Sequence, residues 1–430
     1  TISDNYLDKL ADITDAQSKS HKLSITVKGD DSTKPTERTI KAADLVTLEA
    51  KLGTLLTVDA STLTGGIDDV TTLVDKDKTA STPEITGLDN IAVTISGAKT
   101  EAKNTLAKIN NVIEKAGVVT ATLVDVATTA GANAAKLDKL IDATVGLKGT
   151  GNKIDIEINT DATTTTTTTV VAKSLIDLNS RTTGEISFTS NIDTISGLAS
   201  DVAAIFADSD DGTGANTQIK NPGNLKVTIS DKVIAADPTA TPPVAAADGI
   251  VQAADLVTIH KAGVKDKSIT LTDVASISGS YDDIKYIVVT NLDQFKNAEA
   301  DKVTITGTVT AAEANSIGAA TSYTGHITAT ISDTEMSKLA SLSVDDDDVL
   351  TINVKDASVN ALKLSTLNGR NGKGVITVDS TTVEGEMNDI KAVYDAGVTA
   401  IAGLGNEAIT VTDSITFSEA NALTGYSTGL

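Results

Sequence analysis

Val303-Thr-Ile-Thr-Gly-Thr-Val309 alternates apolar and threonine residues, and Thr310-Ala-Ala-Glu313 comes directly after it. A period of two is that of a strand with one face buried and threonine on the other. Thr310 and Glu313 occupy the two positions of a capping box, so a helix begins there. Ala314 to Ala320 supplies a short helix, Gly325 closes the connection, and His326-Ile-Thr-Ala-Thr-Ile-Ser332 is the next strand. The cycle continues with a helix over Asp333–Ala340, a strand over Val349–Val354 and a helix over Ala357–Leu367. A strand over Gly374–Val378 comes next, then a helix over Val383–Tyr394 with Met387, Ile390, Val393 and Tyr394 on one face, then a strand over Ala408–Thr412. Short β–helix cycles imply right-handed crossovers and parallel strands. The predicted fold is an α/β repeat: a β/α solenoid with parallel strands along one side and small helices along the other. Ordinary doubly wound α/β domains are the alternative.

Outward from this stretch, the chain repeats itself. Ala42-Ala-Asp-Leu-Val-Thr47 returns as Ala253-Ala-Asp-Leu-Val-Thr258, and Leu23–Val27 pairs with Leu225–Ile229. Leu55–Asp69 pairs with Ser268–Asp283, Ala92–Gly97 with Lys302–Gly307, and Val118–Leu123 with His326–Ile331. Gly184–Phe188 matches Gly374–Val378 in the same way. An internal repeat is read before anything else, because missing it miscalls the fold. It predicts two tandem homologous halves, 1–207 and 208–430, each made of strand–helix units. Three stretches read as insertions: the threonine run Thr163–Thr169, the acidic turn Asp208–Gly214 and the proline-held loop Asp237–Pro243. Tyr6-Leu-Asp-Lys-Leu-Ala-Asp-Ile13 is amphipathic and suits a cap on the N-terminal end. Ala422–Leu430 reads like Ala319–Gly325, after which a strand is due, so the sequence is expected to be a portion of something longer.

Composition narrows the function. Of 430 residues, 40% are hydrophobic but only 2% aromatic, with no Trp, so the core must be thin layers of Ile, Val, Leu and Ala. Repeat architectures bury apolar faces in this way, each unit against the next. A net charge of −23 argues against a nucleic-acid partner, which needs clustered Lys and Arg, and against an anionic membrane surface. No apolar run approaches the ~20 residues that span a bilayer, so no membrane insertion is expected. The absence of cysteine removes disulfides, zinc-thiolate sites and cysteine nucleophiles together.

Phosphate- and dinucleotide-binding patterns are missing: no P-loop or dinucleotide glycine fingerprint occurs. His21, His260 and His326 are dispersed and read as surface or strand-edge imidazoles. The chain is expected not to be an enzyme. Calcium is the one cofactor the residues suggest. Asp208, Asp210 and Asp211 before Gly212, and Asp345, Asp346, Asp347 and Asp348 before a strand, gather the oxygen ligands a hard cation takes. Solvated acidic loops are the alternative. The recurring Asp after strands (Asp59, Asp125, Asp273, Asp333, Asp356, Asp379, Asp413) is expected to cap the following helix or turn. Threonine faces suit an ordered surface such as ice or a polysaccharide, or simply solvent. The Thr163–Thr169 run suits O-linked sugar or a plain loop, and no Asn-x-Ser/Thr acceptor is present.

Val303–Ile317, closing on Thr324–Ser332, resembles repeats of very large Thr-rich secreted proteins of the marine cyanobacterial cell surface, of the swimming-motility and surface-layer type. Ile409–Leu423 looks like the same unit. The resemblance implies an exported, repetitive, non-catalytic extracellular protein and carries over no site residues. Self-association head to tail into a layer or filament is the expectation, with a surface polysaccharide as a further partner. An adhesive, glycan-binding arm or a phage fibre segment is the second reading.

Overall fold

The computed structural model describes residues 6–13, 24–33, 38–52, 55–77, 84–89, 91–96, 100–127, 140–142, 146–149, 151–159, 168–189, 192–207, 218–231, 249–298, 301–320, 324–343, 345 and 347–428. The chain divides into two compact units, Thr1–Ser196 with Ala204–Leu225, and Gly197–Ala203 with Lys226–Leu430.

In the first unit, Ile25–Val27, Leu56–Val58 and Ile85–Thr86 pair in parallel. A second parallel sheet runs Thr39–Lys41, Thr62–Gly65, Ala92–Ile95, Val119–Ala127, Lys153–Asn159 and Ile186–Phe188, in sequence order. Strands of the two sheets alternate along the chain, with the helices Ala42–Leu52 and Ile67–Asp77 between successive pairs.

The second unit obeys the same rule. Its seven-stranded parallel sheet runs Ile250–Gln252, Ser276–Gly279, Lys302–Val309, Ile327–Ile331, Val349–Val354, Val375–Val378 and Ile401–Ala402. Ser358–Asn360, Thr382–Gly385 and Ala408–Val411 form a parallel sheet beside it in sequence. The helices Ala253–Lys261, Ala311–Gly318, Ala361–Gly369 and Met387–Asp395 return the chain from strand to strand.

The α/β class and the parallel strands agree with the sequence reading, but many cycles hold two strands rather than one. Ala357–Leu367 and Val383–Tyr394, expected as helices, divide into the strand Ser358–Asn360 with the helix Ala361–Gly369, and Thr382–Gly385 with Met387–Asp395. Each extra strand has a buried valine, Val359 or Val383, between polar neighbours. Three or four residues are too few to show a period of two. The helix over Asp333–Ala340 shrinks to one turn, Met336–Leu339. Of the Thr163–Thr169 run, Thr168 and Thr169 open the strand Thr168–Val171, and the rest lies outside the described residues, as does Asp237–Pro243.

Packing explains the sequence matches. Inward positions form apolar rows across the strands, such as Val251, Ile277, Val303 and Ile327, all buried. The outward face carries Thr308, Thr330 and Thr351 in one register row, all exposed. Helices bury one narrow stripe each: Ala253, Leu256, Val257 and Ile259 in one, Ala361, Leu364 and Leu367 in another. The first residue of these helices is a fully buried alanine because a glycine ending the second strand after the helix lies against it. A Cβ added at Gly65 would sit 2.6 Å from the Ala42 Cβ, at Gly279 2.6 Å from that of Ala253, and at Gly385 3.0 Å from that of Ala361. Glycine and alanine together thus fix how closely a strand approaches the preceding helix.

Over-packing this contact costs about 1–3 kcal/mol. Gly65→Ala and Gly279→Ala are each expected to lower the thermal midpoint. Gly369→Ala, at a helical glycine whose added Cβ meets open space, should leave the midpoint unchanged or raise it. Equal midpoints for all three variants would refute the close-contact role.

Candidate functional site

Of the carboxylates that sequence suggested as ligands, Asp347 is engaged with a charged side chain of a neighbouring cycle and Asp348 with the backbone. Asp208, Asp210, Asp211 and Asp346 lie outside the described residues. Asp348 is buried, and both its oxygens accept backbone N–H bonds, Oδ1 from Ile327 at 2.6 Å and Oδ2 from Asp345 at 3.0 Å. Asp347 is exposed and ion-paired with Lys373, whose ammonium holds its carboxyl below the usual range. His326 Nε2 lies 3.9 Å from Asp347. Asp345 contributes its carbonyl to the Asp348 amide at 3.0 Å. Among the described residues, no group of three or more His, Asp or Glu side chains converges as a metal site.

The bond from Ile327 to Asp348 is one of a set. Ile327 opens its strand, and its amide is taken by the side chain just before the next strand. In the first unit the Val119 amide donates to Asn152 Oδ1 at 2.8 Å, and the amide of Ile154, second in its strand, to Thr182 Oγ1 at 2.9 Å, ahead of the strand Ile186–Phe188 that pairs with it. Asp, Asn and Thr serve the same place because each offers a short side chain with an acceptor oxygen. That interchange hid the pattern from a reading based on residue identity.

A second set corrects the expectation for the post-strand aspartates. Asp333, Asp356 and Asp413 cap a helix, but that of the preceding cycle rather than the following one, whereas Asp59 is ion-paired with Arg38. Asp333 accepts from the Ala311 amide at 2.9 Å, Asp356 from Met336 at 2.7 Å, Asp413 from Met387 at 2.9 Å, and Asp231 lies 3.4 Å from the Ala199 amide. A helix start leaves its first N–H groups without intrahelical partners and favours negative charge there. The next strand delivers both. A third device spans cycles from the helix side. Asn315 donates to the Ser341 carbonyl at 2.7 Å and accepts from the Ser343 amide at 2.9 Å. Asn110 does the same in the first unit, with the Gly146 carbonyl at 2.8 Å and the Lys148 amide at 3.0 Å.

Two further clusters are local. His260, expected at a surface, is half-buried on the helix Ala253–Lys261. Its ring meets the Tyr286 hydroxyl at 2.9 Å and Gln294 Oε1 at 2.7 Å, and packs on Phe295 at 5.0 Å between centroids. Tyr286 opens a wide helical turn, Tyr286–Thr290. Near the chain end the Tyr394 hydroxyl donates to the buried Glu407, and burial together with that carboxylate pushes the phenol far up. Glu407 also accepts from the Gly405 amide at 2.9 Å, and Tyr426 stacks on Tyr394 at 5.1 Å. A recess of about 310 Å³ lies beside Leu7–Leu10, lined by Asp8, Asp30, Lys41 and Lys51 among others. Asp8 accepts from Ser32 at 2.7 Å, Asp30 from the Lys41 amide at 3.0 Å, and Lys51 donates to the Ala11 carbonyl at 3.1 Å.

Loss of a helix cap costs ~1 kcal/mol, so Asp356→Ala should lower the thermal midpoint although Asp356 belongs to a different cycle from the helix it caps. An unchanged midpoint would remove the brace from the energetics. Asp348 gives a pH signature. Burial raises its pKa, and the amide donors oppose that rise. With the folded pKa above the unfolded one, its contribution to stability is fully present below the unfolded carboxylate range and is lost as pH rises through the folded value. The stability difference between wild type and Asp348→Asn is therefore expected to shrink as pH rises from that range. A constant difference across a pH series of unfolding curves would contradict it.

Among the described residues no helix is long and apolar enough to cross a membrane. Comparison with protein-family models, with curated proteins and with solved structures finds no match for this chain.

Proposed function

We propose that this chain is a non-catalytic structural protein of the cell surface or extracellular space, a β/α solenoid of two tandem homologous halves that self-associates into a layer or filament. The observation that carries this reading is the use of polar side chains. Asp231, Asp333, Asp356 and Asp413, with Asn110, Asn152, Asn315, Thr182 and Asp348, hold one cycle to the next. Such a molecule works through length and regularity. Its acidic surface suits solubility and an aqueous, saline exterior. The resemblance of Val303–Ile317 to giant cyanobacterial surface proteins points the same way.

An adhesive arm is the second reading. The row Thr308, Thr330, Thr351 on an exposed face, spaced as parallel strands are at ~4.8 Å, favours it because such a row suits a regular polysaccharide. Calcium is the proposed cofactor, with Asp208, Asp210 and Asp211 as its carboxylates; of the second group, Asp348 keeps both oxygens on backbone amides and Asp347 pairs with Lys373.

Electron microscopy of the purified chain, with and without millimolar calcium, tests the proposal. Regular fibres or sheets are expected, and a calcium requirement would assign the carboxylates a ligand role. Dispersed particles in both conditions would overturn self-association and leave the adhesive arm as the better reading.

A further inference from the structure

Asparagine stands before proline once in this sequence, at Asn221-Pro222; none of the other prolines follows Asn. The proline ring crowds the residue before it towards extended backbone. Asn221 is not extended. Its φ is 51° and its ψ 45°, in the left-handed region. Among the described residues Asp266, Lys267, Asp273 and Asn297 are the other non-glycine positions with positive φ, and none of them precedes proline.

Anchors on both sides hold Asn221 in this state. Ile219 is buried and bridged in parallel to Ile186, and the Lys220 amide donates to the Ile186 carbonyl at 2.9 Å. On the other side Pro222 is buried and opens the single turn Pro222–Asn224. Its carbonyl accepts from the amide of the buried Leu225 at 2.9 Å. All of these residues belong to the first unit. A backbone outlier of this kind persists only where its surroundings over-determine it, and such outliers cluster at sites that act.

The atoms of Asn221 itself suggest the action. Its side chain is exposed and caps nothing. Its main-chain carbonyl oxygen accepts from the Asn224 amide at 3.1 Å, a donor that stabilises negative charge developing on that oxygen. Left-handed Asn297 offers the contrast: its Nδ2 donates to the Leu271 carbonyl at 2.8 Å, and alanine follows it. Asparagine usually ages when the backbone nitrogen of the next residue attacks the side-chain carbonyl. Proline has no N–H, so that route is closed at Asn221. The route left open runs from the side-chain nitrogen to the main-chain carbonyl.

We propose that the chain cleaves itself between Asn221 and Pro222. Asn221 Nδ2 attacks its own main-chain carbonyl carbon, and the new C–N bond closes a five-membered imide. The bond from that carbon to the Pro222 nitrogen breaks. Its electron pair stays on the nitrogen, which gains the proton that Nδ2 gives up, relayed by solvent water. One product ends at Asn221 as the cyclic imide, and the other begins at Pro222 with a free secondary amine. No water is consumed until the imide later opens. Cleavage releases the left-handed backbone, so the strain held between the two anchors favours it. The cut falls just ahead of Leu225–Ile229, the copy of Leu23–Val27, and so parts the two repeats of the sequence. This processing step is independent of the self-association proposed above.

Mass spectrometry of the purified chain, kept at neutral pH and then denatured, tests the proposal. Fragments 1–221 and 222–430 are expected, and before the imide opens their masses sum to that of the intact chain. Asn221→Gly takes a left-handed backbone freely and lacks the nucleophile, so it should lose cleavage while keeping the thermal midpoint. Pro222→Ala restores an N–H at the next residue and should replace cleavage by conversion of Asn221 to aspartate and isoaspartate. In denaturant, where the anchors are gone, cleavage should be slower than in the folded chain. A chain still intact after weeks would overturn the proposal, as would a cut that survives Asn221→Gly. Equal rates in the folded and denatured chain would overturn it too. So would fragments that together carry one added water from the outset, the mark of a protease.

Discussion

A strand of three or four residues cannot stand alone, and the rest of the structure depends on that constraint. Ile25–Val27, Leu56–Val58 and Ser358–Asn360 each bury one or two side chains, far too little to offset the entropy of ordering them. They persist because each is hydrogen-bonded to the strand of another cycle, and because the helices beside them bury a stripe on the same core. The cost falls on the ends of every element, where backbone donors have no regular partner. Side chains from the adjacent cycle meet that need: aspartate at helix starts, Asp, Asn or Thr at strand starts, asparagine across the helix layer. The core itself needs only Val, Ile, Leu and Ala for the most part, so few aromatics suffice.

The parallel α/β arrangement was legible because the alternation in Val303–Val309 and the capping box at Thr310 are local signals that the neighbours reinforce. The extra strands were not. Ser358-Val-Asn360 carries one apolar residue, and only pairing with Thr382–Glu384 makes it a strand. Proximity in sequence suggested that Asp333 and Asp356 cap the next helix along the chain. In the fold each strand passes beside the previous helix, and the nearer amide wins. The acidic run at Asp345–Asp348 showed its charge but not its geometry, since burial of Asp348 depends on the strand beginning at Ile327. His260 was unreadable for a similar reason: Tyr286, Gln294 and Phe295 reach it from other elements.

The repetition in sequence has a physical reading at particular positions. Ala42 and Gly65, Ala253 and Gly279, Ala361 and Gly385 recur because the contact between them leaves no room for a larger pair. Threonine recurs on exposed strand faces because it favours extended backbone while tolerating water. Positions that only need a short acceptor drift among Asp, Asn and Thr.

The braces have a mechanical consequence. Each one joins a cycle to its immediate neighbour, so tension along the chain loads them in succession rather than all at once. Nearest-neighbour coupling of this kind makes rupture local. Pulling free the strand that holds Asp356 uncaps the helix at Met336 and leaves the Met387–Asp413 contact untouched. A released cycle of about two dozen residues extends by roughly 80 Å at ~3.4 Å per residue. A molecule so constructed yields in steps and absorbs a sudden load.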